Sequence, residues 1–418
     1  MQLGVIADDF TGATDIASFL VENGVSTIQL NGTPVENLDI KADAVVISLK
    51  SRSCPAKQAV SNSLAALQWL QEKGCRQFYF KYCSTFDSTA KGNIGPVTDA
   101  LLDALNEEFT VVCPSLPVNG RTVFNGHLFV WGELLSESGM KDHPITPMTN
   151  SNLLQLMNDQ SQGQTGLVNY EVVEQGSAKI IENFAFHKGQ GKRYVVVDAF
   201  KTEHLDEIGK ATRSLKLVTG GSGLAAGMAK SMSQQSAASG DARQAGYPSK
   251  APTVIFSGSC SQMTNKQVSE YIKKAPNFAI NVEQCLRHKD YDEEIFSWVK
   301  NNLDSKLAPM VYATTDAKNL KSIQQDFGVD EPSHAIENLF SRLAKKLHAF
   351  GVFNFIVAGG ETSGVVAQSL HLDGFHIGPQ ITPGVPWVKA INGDLSMALK
   401  SGNFGDESFF TVAQKYFQ

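Results

Sequence analysis

Two carboxylates stand side by side at Asp8-Asp9, directly after the short apolar run Leu3–Ala7. Just beyond the carboxyl end of a buried strand, such a pair can bind substrate hydroxyls, accept a proton or hold a cation. Asp9 or Thr11 could instead cap a helix beginning near residue 12. Arg52, in Ser51-Arg52-Ser53 after the run Ala44–Leu49, offers a planar fork for a carboxylate or phosphate, or is an ordinary surface arginine. A denser group begins where the run Phe78–Tyr82 ends: Lys81, then Ser84, Thr85, Asp87, Ser88 and Thr89, then Gly92-Asn93-Ile94-Gly95-Pro96. That mixture of cation, hydroxyls, carboxylate and glycines suits a small, oxygen-rich, anionic ligand better than an apolar one. The plainer alternative is a polar loop of turn formers. Asn119-Gly120-Arg121-Thr122 adds a further anion contact or a simple turn.

Glycine-rich turns carry the second set of candidates. Thr219–Gly227 passes from strand to helix, but its glycines are spaced GxGxxxG rather than GxGxxG, and it comes late in its domain. As a nicotinamide signal it is weak. Later, Val254-Ile255-Phe256 leads into Ser257-Gly258-Ser259-Cys260-Ser261 and a helix containing Asn265–Val268. Phe355–Ala358 leads into Gly359-Gly360-Glu361-Thr362-Ser363-Gly364 and a helix from about Val365. Lys400-Ser401-Gly402-Asn403-Phe404-Gly405 supplies a third such turn. Small residues at a helix start let backbone amides approach phosphate oxygens, and the helix dipole favours the negative charge. Two such loops in one domain point to nucleotide binding; the bland alternative is that glycines only punctuate turns. No GxxxxGK[ST] loop and no protein-kinase signature occurs.

These candidates must be held by elements that alternate along the chain. Short apolar runs recur between helix-period segments at Leu3–Ala7, Ala44–Leu49, Phe78–Tyr82, Thr110–Cys113, Tyr194–Val197 and Leu215–Val218. They continue at Thr253–Phe256, Met310–Ala313 and Phe353–Ala358. Continuous runs of this kind read as buried parallel strands, and Ala13, Ile16, Ala17 and Leu20 show the helical spacing between them. The fold class predicted is α/β, with two domains, each a mostly parallel sheet flanked by helices. The polar segment 231–250, rich in Ser, Gln and Ala, lacks apolar periodicity and predicts a linker between domains 1–230 and 251–418.

Composition excludes several classes. Across 418 residues, 36 Lys plus Arg against 42 Asp plus Glu leave a formal charge of −6, which argues against nucleic acid as the main partner. No apolar stretch is long enough to span a bilayer, and no signal-type segment precedes the first strand, so a cytoplasmic protein is expected. Six scattered cysteines and nine dispersed histidines show no metal-ligand spacing. No metal ligands are assigned, and a homo-oligomer is left open.

Five motifs, IADDFTGATDIA, STFDSTAKGNIGP, FSGSCS, AGGETSG and KSGNFG, occur in order along essentially the whole chain. Together they resemble the four-carbon acid sugar kinases, in particular the 3-oxo-tetronate kinase branch. The resemblance implies an N-terminal acid-sugar domain and a C-terminal nucleotide domain without a P-loop. Carried over, substrate contacts fall on Asp8, Asp9, Arg52, Lys81 and Asp87. Nucleotide contacts fall on Ser257, Ser259, Gly359, Gly360, Glu361, Thr362 and Gly402.

The reaction so implied is ATP-dependent phosphorylation of the C4 hydroxyl of a four-carbon sugar acid, with Mg²⁺ bridging the ATP phosphates. A tetronate carries a carboxylate and several hydroxyls, which the cation-rich and hydroxyl-rich first cluster suits. Phosphoryl transfer rests mainly on positioning and charge neutralisation, so an Asp that accepts the hydroxyl proton is the expected catalytic group. Asp9 and Asp87 are the candidates, unranked by sequence. Threonate or erythronate kinases, an NAD(P)-dependent sugar-acid dehydrogenase and a non-catalytic sugar-acid sensor are the competing readings.

Overall fold

The structure is a computed structural model and describes every residue except 1, 35–37, 39, 144–145, 234–240, 316–327, 329 and 418. The chain divides into two compact units, Met1–Ala242 and Arg243–Gln418.

In the first unit the described residues form a fully parallel sheet of β1 (Leu3–Ala7), β2 (Thr27–Asn31), β3 (Ala44–Ser48), β4 (Gln77–Lys81), β5 (Thr110–Cys113), β9 (Thr165–Val168), β10 (Tyr194–Val197) and β11 (Leu217–Gly220). Its spatial order is β2-β3-β1-β4-β11-β5-β10-β9. Three further short strands, β6 (Arg121–Phe124), β7 (His127–Val130) and β8 (Glu133–Leu134), form a separate antiparallel ribbon. Strand β1 is buried on both faces, as its unbroken Leu-Gly-Val-Ile-Ala run requires. The central order decides where a site can form. The chain leaves β1 toward β2 on one side, and β4 lies on the other, so the carboxyl end of β1 sits where strand order reverses. Register aligns Ala7 with Ser48 on β3 and with Lys81 on β4. The loops after three neighbouring strands therefore emerge side by side.

The second unit places β12 (Thr253–Ser257), β13 (Asn277–Ala279), β14 (Met310–Tyr312), β15 (Asn354–Ala358), β16 (Gly374–Thr382), β17 (Val385–Ala390) and β18 (Ser396–Lys400) in the order β13-β14-β12-β15-β18-β17-β16. The first five positions pair in parallel, and β17 and β16 complete the sheet antiparallel. Trp387 on β17 anchors a core with Ile255, Ile356, Ala398 and Phe410, and its indole N–H donates to the Ala413 carbonyl at 2.9 Å. The α/β, mostly parallel expectation holds in both units.

Several strands escape sequence reasoning. Strand β2 reads Thr-Ile-Gln-Leu-Asn, and its polar positions hide it although Gln29 is fully buried. Pro379 and Gly378 interrupt β16, which pairs irregularly with β17 through register shifts. The Leu215–Val218 run forms its strand two residues later, at Leu217–Gly220, because Leu215 closes the preceding turn on the Thr212 carbonyl. In the 231–250 segment, helix Ser222–Ser233 extends to its first residues, and Gly246 packs so tightly on Gly378 that a Cβ would lie 2.1 Å from its amide nitrogen. The part of the linker expectation on 234–240 lies outside the described residues. Among the described residues no helix is long and apolar enough to cross a membrane.

Candidate active site

At the end of β1 the chain turns immediately into helix Phe10–Glu22, with Asp9 as its N-cap. The Asp9 carboxylate accepts from the Gly12 amide at 3.0 Å and from the Thr11 hydroxyl at 2.9 Å. Capping the helix and joining the charged cluster are thus not alternatives here. The same Oδ1 that caps the helix lies 2.8 Å from Arg52 Nη2. A Cβ at Gly12 would fall 2.2 Å from Asp9 Oδ1 and 2.9 Å from Lys81 Nζ, so only glycine fits between them.

Arg52 is the hub. Its Nε and Nη2 donate to the two oxygens of Asp8, each at 2.9 Å, in a bidentate fork, and its Nη1 lies 3.7 Å from Asp87 Oδ2. Three carboxylates from the loops after β1 and β4 therefore converge on one guanidinium from the loop after β3. Burial pushes the Asp8 carboxyl up even against that fork. Burial would raise Asp9 too, but Arg52 and Lys81, helped by the Thr11 hydroxyl and the Gly12 amide, outweigh it and hold Asp9 below its ordinary value. Burial disfavours the Arg52 charge, yet Asp8 and Asp9 overcome this and raise the guanidinium well above its usual range.

The loop carrying Arg52 is fixed by Asn93, whose amide donates to the carbonyls of Ser51 at 2.7 Å and Cys54 at 2.8 Å. The loop carrying Asp87 turns through Phe86, held at φ +50° in the left-handed region while its buried ring meets Tyr82 edge-on at 5.5 Å. Asp87 Oδ1 accepts from the Thr85 hydroxyl at 2.6 Å. Ser88 and the Gly95 amide both donate to Gln160 Oε1, at 2.7 and 2.9 Å, which pins the start of helix Ile94–Leu105. A small cavity is lined by Asp8, Ser51, Arg52, Asp87, Ser88 and Asn93.

Lys81 is buried beside this group; its ammonium donates to the Tyr82 carbonyl at 2.9 Å, and no carboxylate oxygen lies within 4 Å among the described residues. Asp15, on the inner face of helix Phe10–Glu22, feels both Lys81 and Arg121 and accepts from the Ser222 hydroxyl. Its other oxygen is buried without a hydrogen bond, and burial raises the carboxyl to about 6. Asp15 and Asn93 stand inside recognised motifs, but spacing alone cannot say which way either points.

In the second unit the loops after the adjacent strands β12, β15 and β18 interlock. The Gly258 amide donates to the Ala358 carbonyl at 2.9 Å, and the Gly359 amide to the Lys400 carbonyl at 2.8 Å. A Cβ at Gly258 would lie 2.2 Å from Thr362 Oγ1, and one at Gly402 would lie 2.7 Å from Ser259 Oγ. Gly359 adopts φ +126°, and helix Gly360–Ser369 starts right after it, five residues before the expected Val365. Gly360, Glu361 and Thr362 thus form its first turn, where amides lack intrahelical acceptors. Ser261 caps helix Gln262–Tyr271 by accepting from the Thr264 amide at 3.2 Å. The seven predicted nucleotide residues lie at these strand ends, loops and the first turn of helix Gly360–Ser369. Ser257 differs from the rest in that its hydroxyl is buried against Thr314 Oγ1 at 2.7 Å and is already used by the fold.

Known proteins carry the same plan. A family model described as a sugar-binding N-terminal domain matches residues 3–228, and one described as a nucleotide-binding C-terminal domain matches residues 254–410. The 3-oxo-tetronate kinase of Actinobacillus succinogenes is 61% identical over 417 residues, covering 100% of both chains. The chain belongs to the four-carbon acid sugar kinases, on the 3-oxo-tetronate kinase branch. Within that family the 3-oxo-tetronate kinase of Haemophilus influenzae is also 61% identical, again over 100% of both chains. A crystal structure from Salmonella typhimurium, described as a putative tRNA synthase, aligns with a TM-score of 0.94 at 55% identity over 100% of both chains.

Proposed function

We propose that this protein transfers the γ-phosphoryl group of ATP to the C4 hydroxyl of 3-oxo-tetronate, giving the 4-phosphate and ADP. The observation that carries the substrate half is the convergence of Asp8, Asp9 and Asp87 on Arg52, with Lys81 beside them. Cations for one carboxylate and carboxylates for several hydroxyls are what a short sugar acid asks of a protein. The nucleotide half rests on the interlocked loops Ser257–Ser261, Gly359–Thr362 and Lys400–Gly402, two of which open helices. Accordingly the first unit is assigned the acid and the second the nucleotide.

The hydrogen bonding supports one of the two base candidates over the other. Asp9 spends both oxygens on the helix cap and on Arg52. Asp87 has one oxygen on Thr85 and the other 3.7 Å from Arg52, beyond a hydrogen bond. Asp87 is therefore proposed to take the C4 hydroxyl proton, with Arg52 and Lys81 orienting the acid. Among the described residues no group of three His, Cys, Asp or Glu is placed to hold a metal. Mg²⁺ is proposed to come with the ATP phosphates and supply charge neutralisation there, its remaining sites going to water or a single carboxylate.

A cytoplasmic setting accords with six free thiols. The description of the Salmonella relative as a putative tRNA synthase would imply contact with nucleic acid; the formal charge of −6 offers no basic surplus for it. A coupled ADP-release assay across 3-oxo-tetronate, threonate and erythronate, with and without Mg²⁺, tests the proposal. Turnover fastest with 3-oxo-tetronate and dependent on Mg²⁺ is expected; no ADP release with any four-carbon acid would sink it.

A further inference from the structure

Lys400 ends β18 inside the proposed nucleotide site, and its side chain is fully buried. Its ammonium donates to Thr264 Oγ1 at 3.0 Å, to the Ser401 carbonyl at 3.0 Å and to the Gly402 carbonyl at 2.9 Å. Thr264 Oγ1 in turn donates to the Gly402 carbonyl at 2.7 Å and lies 3.0 Å from Ser261 Oγ. One cation therefore ties the last loop to the start of helix Gln262–Tyr271. All three of its acceptors are neutral. Cys260 on the loop after β12, Lys266, Glu270 and Tyr271 on that helix, Glu361 on helix Gly360–Ser369, Lys389 on β17, and Asp406 and Glu407 beyond the loop are the titratable groups on the surrounding elements. No carboxylate among the described residues lies within 4 Å of Lys400 Nζ, and Phe409 presents only a ring, 5.8 Å away. The positive ends of two helices open beside the same loops. A buried cation next to two positive helix ends, with no anion of its own, is incompletely compensated.

We propose that Lys400 is the positioning residue of the nucleotide loops and the buried counter-charge of the nucleotide's phosphates. This rests on the nucleotide reading given above. In the free protein, burial alone lowers the ammonium to about 7, so at pH 8 the neutral form predominates. Phosphates brought against Gly402 restore the preference for the charged form, and binding then draws a proton from solvent. The sign follows directly: nucleotide affinity weakens as pH rises above about 7, and proton uptake grows toward one over the same range.

The test is calorimetry of ATP, ADP and adenosine binding to the full chain at pH 8, in buffers of different ionisation enthalpy. The unaltered protein, Lys400→Gln and Lys400→Met are compared, with sugar-acid binding and thermal melting checking the fold. Uptake approaching one proton with ATP is expected, absent in both variants, with ATP affinity lowered about tenfold or more and adenosine affinity unchanged. ATP binding without proton uptake in the unaltered protein, or equal uptake in the variants, overturns the inference and leaves the nucleotide reading standing. An unaltered protein that binds no nucleotide removes the reading on which it rests.

Discussion

Asparagine in place of Asp15 should make the first unit more stable at neutral pH, although it removes a buried charge from a cluster of cations. The ordinary carboxyl value of 3.8 rises to about 6 in the fold, burial outweighing Lys81, the Ser222 hydroxyl and Arg121. Between those values the folded chain holds a proton that the unfolded chain has released. Stability therefore falls as pH rises through that window, and above about 6 the whole penalty remains, about 3 kcal/mol at 1.36 kcal/mol per pKa unit. The amide side chain would carry no charge and still offer an oxygen to the Ser222 hydroxyl. Asp15→Asn should thus stabilise by about 1–3 kcal/mol at pH 8 and by almost nothing near pH 4, where the native carboxyl is already neutral. Urea titrations followed by hydrogen exchange on the β1 and β4 amides isolate the first unit from the second. A variant less stable at pH 8, or a gain equal at both pH values, would refute the reasoning.

Three further outcomes follow from the site. Asp87→Asn should lower kcat by about 10²-fold or more with melting unchanged, whereas Asp9→Asn, which keeps a capping side chain, should cost less; unchanged turnover in Asp87→Asn would remove it as the base. Arg52→Lys cannot reproduce the fork to Asp8 and should raise KM for the sugar acid about tenfold while KM for ATP holds steady in initial-rate kinetics. Gly402→Ala would press a Cβ to 2.7 Å from Ser259 Oγ and 2.8 Å from Ser261 Oγ, so KM for ATP should rise while sugar-acid binding by calorimetry stays intact.

Much of the fold and of the site is legible in the sequence, for physical reasons. The buried strands β1, β3, β4, β12 and β15 each carry an apolar run of three or more residues, and the candidate loops follow their carboxyl ends, so Asp8, Arg52, Asp87 and the glycine loops stand out. What stays hidden depends on contacts distant in sequence. Gln29 is polar yet wholly buried in β2, and β17 is covered by a C-terminal segment that no local pattern announces. Likewise Asn93 reaches back across 42 residues to Ser51, and Asp15 meets a hydroxyl 207 residues away. In the sequence Lys400 is only the first letter of a glycine turn. Its proposed role rests on the lack of any close anion among the described residues, which a linear sequence cannot display.

The two sets of candidate residues lie in different units, Met1–Ala242 and Arg243–Gln418, each with its own buried aromatic anchors. With the acid and the nucleotide assigned to different units as proposed, acid preference and nucleotide preference can drift independently over evolutionary time. On the proposed assignment, changing which sugar acid is accepted calls for edits among the loops after β1, β3 and β4 rather than among the nucleotide loops. For an engineer seeking a kinase for another short hydroxy acid, the search space shrinks to those three loops of the first unit.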